Sequence, residues 1–465
     1  MNMNNSHLYT DLPSSVAVLG AGTSGIAATQ YLVERGIRVF ISDVCDRESL
    51  DFRLAANDLA AVPHEAGGHS DAILRYEAIV VSPGIPTGIP VIEQAVKNGI
   101  PVWSEIELAF RICKAPVLAV TGSTGKSTTV CFLGSILEHA GKRAPVVGNI
   151  GVPAISSVAS LGRDDWAVIE VSSFQLENID RFKPRGACVL NLLANHLDRY
   201  KNMKEYGHAK KQIAKNLNGD NFLVLNASDP LLEQWAGELQ HATAIVRFGS
   251  GEVPGECAWY EGGMIHYRLD RDMEGSIDIS GMALVGAHNR RNACAAAAMA
   301  LRIGVPPAAV EKGICNFRGL PHRLEFVTEI GGVKFYNDSK ATTAESVKSA
   351  IEAFANPVHL IAGGKDKGCD FKSVRRAVED RVNTVYCIGE AAARIKQTWH
   401  GAAKIRMCES LSEAVMKAHG AAHDNDIVLL SPGCSSFDMF DNFEHRGEIY
   451  KKSVLSLESG KKNCD

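Results

Sequence analysis

No two cysteines in this chain stand in a C-x-x-C spacing, although twelve are scattered along it. In a chain of this size that scatter excludes a disulfide framework and predicts reduced thiols, most of them small buried hydrophobes, in a cytoplasmic protein. No apolar run is long enough to span a bilayer, and the first thirteen residues lack the basic and apolar blocks of a signal peptide. Membrane insertion is therefore not expected. An excess of charge of one sign is also missing. Lys and Arg number 49 against 53 Asp and Glu, a net charge of −4, so no bulk electrostatic case exists for nucleic acid or a membrane surface as partner. Anionic ligands must be held by local devices.

What is present is an ordinary globular composition, 46% hydrophobic and 22% charged, over 465 residues. At roughly 150 residues per domain that length suggests about three domains. Strand-like and helix-like segments alternate throughout, which predicts an α/β fold of mainly parallel sheets. No low-complexity linker marks the boundaries. They are placed near residues 104 and 319, giving segments 1–104, 105–319 and 320–465. Gly255–Ile279, rich in Gly, Tyr and acidic residues, reads as a small β insertion.

Three glycine-rich turns each follow an apolar strand, where ligands bind in open α/β sheets. The first, Gly20-x-Gly22-x-x-Gly25, opens a helix at Thr23-Ser24, and the next strand ends at Asp43. This is a Rossmann layout: the backbone approaches a diphosphate at a helix N-terminus and the acid accepts from a hydroxyl. The turn Ser82-Pro83-Gly84-Ile85 adds backbone donors beside it. On this turn alone, a nicotinamide-type oxidoreductase is a competing reading.

The second turn, Thr121-Gly122-Ser123-Thr124-Gly125-Lys126-Ser127-Thr128, lies between a strand and a helix. Consecutive N–H groups and Lys126 would cradle the triphosphate of ATP, and a hydroxyl would bind Mg²⁺. It is a shortened phosphate loop, since Val120 stands where the longer motif has its first glycine. Glu170, at the end of a nearby strand, is a second candidate for Mg²⁺. His196, past the end of a third strand, is a candidate ligand or acid–base group.

These loops together resemble the Mur ligase family from about residue 16 to 450. The matching segments include residues 122–128, Gly148-Asn149-Ile150-Gly151, Glu170-Val-Ser172-Ser-Phe-Gln175-Leu-Glu177, His196-Leu-Asp-Arg-Tyr200, Asn289-x-x-Asn292, Leu320-Pro-His-Arg323, Asn337-Asp338-Ser-Lys-Ala-Thr342, Gly363-Gly-Lys-Asp-Lys367, Ser431-Pro-Gly-Cys-Ser-Ser436 and Phe443-Glu-His-Arg-Gly447. The resemblance implies three α/β domains: Rossmann-like, central ATPase and C-terminal Rossmann-like.

It also implies an ATP-dependent ligase that adds D-glutamate to UDP-N-acetylmuramoyl-L-alanine through an acyl phosphate. The expected state is a monomer. Other amino-acid ligases of the family are the alternatives.

By the same resemblance, Thr23, Ser24, Asp43, Gly84, Asn149, Ser172 and Gln175 serve the UDP substrate. Residues 122–128 with Asn292, Arg323 and Asp338 serve ATP. Lys126, His196 and Lys210 are catalytic. Ser127, Glu170, His196 and a carbamylated Lys210 hold metal. Thr342, Lys367, Ser436 and Phe443 bind the amino acid. Two positions depart from the family pattern: Asn195 precedes the histidine where an acid is common, and Cys45 replaces a basic residue, for which Arg47 is the expected substitute.

Overall fold

Each apolar run forms a strand buried on both faces. Val16–Leu19, Leu118–Val120 and Leu360–Ala362 are almost wholly inaccessible. Such strands show no polar alternation because helices cover both sides of a parallel sheet. The computed structural model describes residues 12–193, 199–269, 273–366 and 368–461. They fall into two units, Met1–Gly281 with Arg291–Ile314, and Met282–Arg290 with Cys315–Asp465.

The first unit holds two sheets. The smaller runs His64–Glu65, Arg38–Ser42, Ser15–Leu19, Ala78–Val81, Val102–Ser104, all parallel. The strand order reverses at Ser15–Leu19. A crevice therefore opens beyond its carboxyl end, between the loops that follow it and Ala78–Val81.

The larger sheet has nine strands, in the order Glu274–Asp278, Met264–Arg268, Cys257–Glu261, Ala244–Gly249, Phe222–Asn226, Gly186–Val189, Val117–Thr121, Ala167–Glu170, Val146–Gly148. Val117–Thr121 sits between Gly186–Val189 and Ala167–Glu170, so three strand ends converge there. The expected β insertion is part of this sheet. Cys257–Glu261 pairs in parallel with Ala244–Gly249, and the next two strands add antiparallel to it. Continuing the ladder satisfies the backbone groups of what would otherwise be a sheet edge.

Two helices complete the first unit. Ala293–Ala300, within the helix Ala287–Arg302, is buried at every position, the pattern of a helix covered on all sides. The helix Pro307–Asn316 approaches Lys126–His139 so closely that a Cβ on Gly313 would lie 2.4 Å from the Ile136 Cα. Ser135 Oγ donates to the Gly313 carbonyl at 2.9 Å, which locks the crossing.

The second unit is built on a six-stranded sheet, in the order Glu325–Ile330, Val333–Asn337, Ile427–Leu430, Val358–Gly363, Val382–Ile388, Lys404–Met407. Only the edge strand Glu325–Ile330 runs antiparallel. Among the described residues, no helix is long and apolar enough to cross a membrane.

Candidate active site

The first glycine turn and the Ser82–Ile85 turn form one cradle. Gly20 has φ +87°, and a Cβ there would meet Ser82 at 2.9 Å. Ser82 N donates to Leu19 O at 2.9 Å and Ser82 Oγ to Gly20 O at 3.1 Å. Thr23 and Ser24 open the helix Thr23–Glu34, whose cap Gly22 contributes no side-chain bond. Its first turn therefore presents N–H groups to an anion. Gly84 is exposed at the tip of the second turn.

Asp43 fixes the turn from the next strand. Its Oδ2 accepts from Ala21 N at 2.6 Å and its Oδ1 from Cys45 N at 2.9 Å. Burial pushes this carboxyl up, but the amide bonds outweigh it and leave the pKa below the ordinary value. Each oxygen keeps a lone pair for a hydroxyl. The basic residue at this turn is Arg53, which donates to Ala21 O at 3.0 Å, and not Arg47, which pairs with Asp51 at 3.3 Å. Both belong to the helix Arg47–Ala55 and face different ways.

Gly25 is the most constrained position of the cradle, since a Cβ there would lie 1.8 Å from Gly20 O. Gly25→Ala should lower stability by about 2–3 kcal/mol, because backbone must shift. Urea unfolding of the variant checks this. Unchanged stability would mean that the turn relaxes freely.

The phosphate loop is held open by neighbours. Gly122 has φ +151° and Gly125 φ +82°, conformations that disfavour a side chain. Asn191 Oδ1 accepts from Ser123 N and Thr124 N, both at 3.0 Å, and its Nδ2 donates to Thr124 O at 3.2 Å. Tyr206 Oη bonds Ser123 Oγ at 3.0 Å. Motif reading missed both supports. Asn191 lies just past the strand Gly186–Val189, 67 residues beyond Thr124 of the loop that it holds.

Lys126 Nζ donates to Gly122 O at 3.0 Å and to Ser123 O at 3.2 Å. Ser127 and Thr128 are buried in the first helical turn. Asn292 stands against the loop, 2.5 Å from where a Gly125 Cβ would be.

Lys210 and Glu170 lie behind this loop, both 2% exposed. Lys210 Nζ donates to Gly122 O at 2.8 Å and to Thr121 Oγ1 at 3.3 Å, with the Tyr206 ring 4.8 Å away. Burial and the nearby Lys126 charge bring its pKa down to about 6, against the pull of Glu170. Burial thus favours the uncharged amine over the ammonium.

Glu170 Oε1 accepts from Asn149 Nδ2 at 2.7 Å, and Asn149 N donates to Glu170 O at 2.9 Å. Glu170 Oε2 is buried and has no hydrogen-bond partner among the described residues. An orphaned carboxylate oxygen is costly unless a cation takes it. Glu170 Oε2 and the Ser127 hydroxyl at the start of the loop's helix are both oxygen donors, the kind of atom that could hold Mg²⁺ beside substrate phosphates. Among the described residues no group of three His, Cys, Asp or Glu could hold a metal, and His196 and Asn195 lie outside them.

Ser172 caps the short helix Ser173–Leu176 and forms a reciprocal capping box with Gln175. Gln175 Oε1 accepts from Ser172 N at 2.9 Å and from Ser172 Oγ at 3.1 Å. Both residues thus shape the turn that follows Glu170.

In the second unit, Arg323 lies between two non-glycine residues with left-handed backbone, His322 (φ 65°) and Leu324 (φ 43°). Such a turn is strained and persists only when its surroundings hold it. Asp338 does so: its Oδ1 accepts from Leu324 N at 3.2 Å and its Oδ2 from Ser431 Oγ at 3.0 Å. Burial raises the Asp338 pKa to about 7.

The four segments expected around the amino acid are bound to one another. Gly433 N donates to Ala341 O at 2.9 Å and Lys365 N to Ser435 O at 2.9 Å. Ser339 Oγ donates to Phe443 O at 2.8 Å. The wholly buried Arg446 donates to Ser339 Oγ, Ser339 O and Cys434 O. Thr342 is exposed, Ser436 buried and Phe443 half-buried, with Lys340 Nζ 5.0 Å above the Phe443 ring. Lys340 was not singled out in the sequence. Lys367 lies outside the described residues.

Three domain families match in succession. They are the Mur ligase MurD-like N-terminal domain over residues 14–104, the Mur ligase middle domain over 120–300, and the Mur ligase glutamate ligase domain over 322–434. The chain is 42% identical to the UDP-N-acetylmuramoylalanine–D-glutamate ligase of Acidobacterium capsulatum, over 95% of this chain and 96% of that one. It is 38% identical to the protein of that name from Pelotomaculum thermopropionicum, over 96% and 98%.

Two solved structures from Thermotoga maritima share the fold. One is MurF ligase in complex with ADP, at TM-score 0.60 and 15% identity over 90% of this chain and 95% of that one. The other is the UDP-N-acetylmuramate–alanine ligase MurC, at TM-score 0.58 and 18% identity over 95% and 99%. Three successive domain matches, near-complete coverage at up to 42% identity and a shared three-domain α/β fold place the chain in the Mur ligase family, most like its UDP-N-acetylmuramoylalanine–D-glutamate ligases.

Proposed function

We propose that this protein joins D-glutamate to UDP-N-acetylmuramoyl-L-alanine in peptidoglycan biosynthesis, converting ATP to ADP and phosphate. The observation that carries the reading is the group behind the phosphate loop. A buried carboxylate with an orphaned oxygen, Glu170, stands with a buried neutral-leaning lysine, Lys210, against a glycine loop that ends in Lys126. A nicotinamide oxidoreductase has no use for that group, and membership of the family displaces that reading.

A carboxylate is a poor electrophile at neutral pH. Transfer of the ATP γ-phosphoryl onto the alanyl carboxylate makes an acyl phosphate and releases ADP. The amine of D-glutamate then attacks the acyl carbon, and the tetrahedral intermediate expels phosphate as the amide forms. Charge gathers on phosphate oxygens throughout, so catalysis rests on positioning and charge neutralisation. The N–H groups of residues 122–128 and the Lys126 ammonium hold the triphosphate, with Asn292 beside the loop.

When bound, Mg²⁺ supplies further positive charge at these oxygens. Glu170 and Ser127 would hold it, with His196. Lys210 completes that set if its unprotonated amine adds CO₂, since a carbamate oxygen is anionic where an ammonium would repel the metal.

The UDP substrate is taken by segment 1–104 through Thr23, Ser24, Asp43 and Gly84, with Asn149, Ser172 and Gln175 from segment 105–319. In segment 320–465, Arg323 and Asp338 are taken as nucleotide contacts. Thr342, Lys367, Ser436 and Phe443 are taken as the amino-acid contacts. The test is phosphate release with UDP-N-acetylmuramoyl-L-alanine and ATP across a panel of D- and L-amino acids. Release with D-glutamate alone supports the reading. Release with another amino acid and none with D-glutamate would reassign the substrate.

Lys367 gives a sharper test of the amino-acid site. Glutamate carries a second carboxylate that needs a partner in a partly dehydrated cleft. Losing one charge-assisted bond costs about 2–3 kcal/mol. Lys367→Ala should therefore raise the D-glutamate KM roughly 30- to 150-fold and leave the ATP KM nearly unchanged. Arginine should rescue only partly, because its planar fork demands a different geometry. A rise in the ATP KM with an unmoved D-glutamate KM would transfer Lys367 to the nucleotide site.

A further inference from the structure

The segment that follows His196 ends in Arg199 and Tyr200. Arg199 has partners in the turn after the strand Ala78–Val81 of the smaller sheet, and both residues have partners in the short helix Ser173–Leu176 and its cap Glu177, after a strand of the larger sheet. Arg199 Nη1 donates to Pro83 O at 3.2 Å, and Nη2 donates to Ile85 O at 3.2 Å. Both carbonyls belong to the exposed turn that packs on Gly20. Nη2 also pairs with Glu177 Oε2 at 2.9 Å, and the guanidinium lies 4.3 Å from the Phe174 ring centroid.

Tyr200 Oη donates to the other oxygen of Glu177 at 2.5 Å, and its ring stacks on Phe174 at 5.9 Å. Tyr200 in turn packs against Tyr206, the residue bonded to Ser123 of the phosphate loop. One guanidinium thus clamps the carbonyls on either side of Gly84, and Glu177 holds it in place.

We propose that Arg199 is a positioning residue for the sugar-nucleotide substrate, setting the Pro83–Ile85 turn so that the Gly84 N–H faces the diphosphate. Pro83 has no N–H, and that of Ile85 is donated to Ser82 O at 3.0 Å. The inference rests on the function proposed above. It deepens that reading by naming a residue which does not itself meet the ligand. Two carbonyls drawn to one cation fix the orientation of the peptide groups between them. A fork of N–H donors is suited to this, because it reaches both carbonyls and the Glu177 carboxylate at once. An ammonium in the same place cannot span the set.

The test is a set of titrations of UDP-N-acetylmuramoyl-L-alanine, ATP and D-glutamate on wild type, Arg199→Leu and Arg199→Lys, together with direct binding of the UDP substrate without ATP. Arg199→Leu is expected to raise the KM and the direct dissociation constant for the UDP substrate about tenfold or more, the loss of a charge-assisted bond. The KM values for ATP and D-glutamate should stay within about twofold. Arg199→Lys should recover part of the loss.

Should the leucine variant fail to fold, the lysine variant decides: the same selective but smaller rise supports the proposal. Equal UDP-substrate binding in a folded variant and wild type overturns it, as does an equal rise in all three KM values. Wild type that binds no UDP substrate overturns the functional reading beneath it.

Discussion

Lys126→Ala is expected to slow phosphate release by on the order of 10³-fold or more while leaving direct binding of the UDP substrate intact. Lys126 opens the helix after the phosphate loop and folds back over it, donating to the carbonyls of Gly122 and Ser123. In the proposed reaction that ammonium follows the transferred phosphoryl group, where charge accumulates most. The proposed cradle for the sugar nucleotide, built by Gly20, Gly25 and Ser82 beyond strand ends of the other sheet in the same unit, needs nothing from Lys126. Paired measurements of single-turnover phosphate release and UDP-substrate binding check both halves. Near-wild-type release in the variant would remove the phosphate-loop assignment.

Lys210→Ala should cost a comparable factor, on the order of 10³-fold, for a different reason. Burial and the Lys126 charge hold the Lys210 pKa at about 6, so above that pH its amine is free to form a carbamate. As pH falls through 6 the amine protonates, and the carbamate is lost with it. Activity of the wild type should decline over the same range. The alanine variant leaves a gap beside Glu170 that a small carboxylate can fill. Added formate or acetate should therefore restore activity in a concentration-dependent way, and should not stimulate wild type. Full activity in the unsupplemented variant would rule this role out. Inactivity without rescue would reduce Lys210 to the support that its bonds to Gly122 and Thr121 already show.

These two residues also mark how far the sequence could be read. The place of Lys126 in its loop was legible because the pattern is local: strand, glycines, lysine and helix follow one another, and the backbone between Gly122 and Gly125 can close in few ways. The same holds for Gly20–Gly25 and Asp43. Lys210 was different. It sits in the helix Met203–Lys211 with Lys204 and Lys211, and only the family resemblance drew it out of what reads as a basic surface. The structure gives it a reason of its own, since Lys210 is buried while Lys204 is exposed.

Residues whose meaning depends on distant chain were not legible. Asn191 serves a loop 67 residues away, and Arg199 serves carbonyls 114 and 116 residues away. Arg53 replaced Arg47 at the Asp43 turn because helix phase, not sequence proximity, sets which side chain points inward. The strain around Arg323 lies in two φ angles that neither histidine nor leucine announces.

The proposed function rests on ATP activating the alanyl carboxylate as an acyl phosphate. It is tested most directly with UDP-N-acetylmuramoyl-L-alanine carrying heavy oxygen in that carboxylate. Incubated with the protein, ATP and D-glutamate, it should yield inorganic phosphate containing one heavy oxygen atom per amide formed, because the acyl phosphate breaks on the carbon side. Amide product accompanied by unlabelled phosphate, or labelled substrate recovered unchanged beside ATP turnover, would contradict the account.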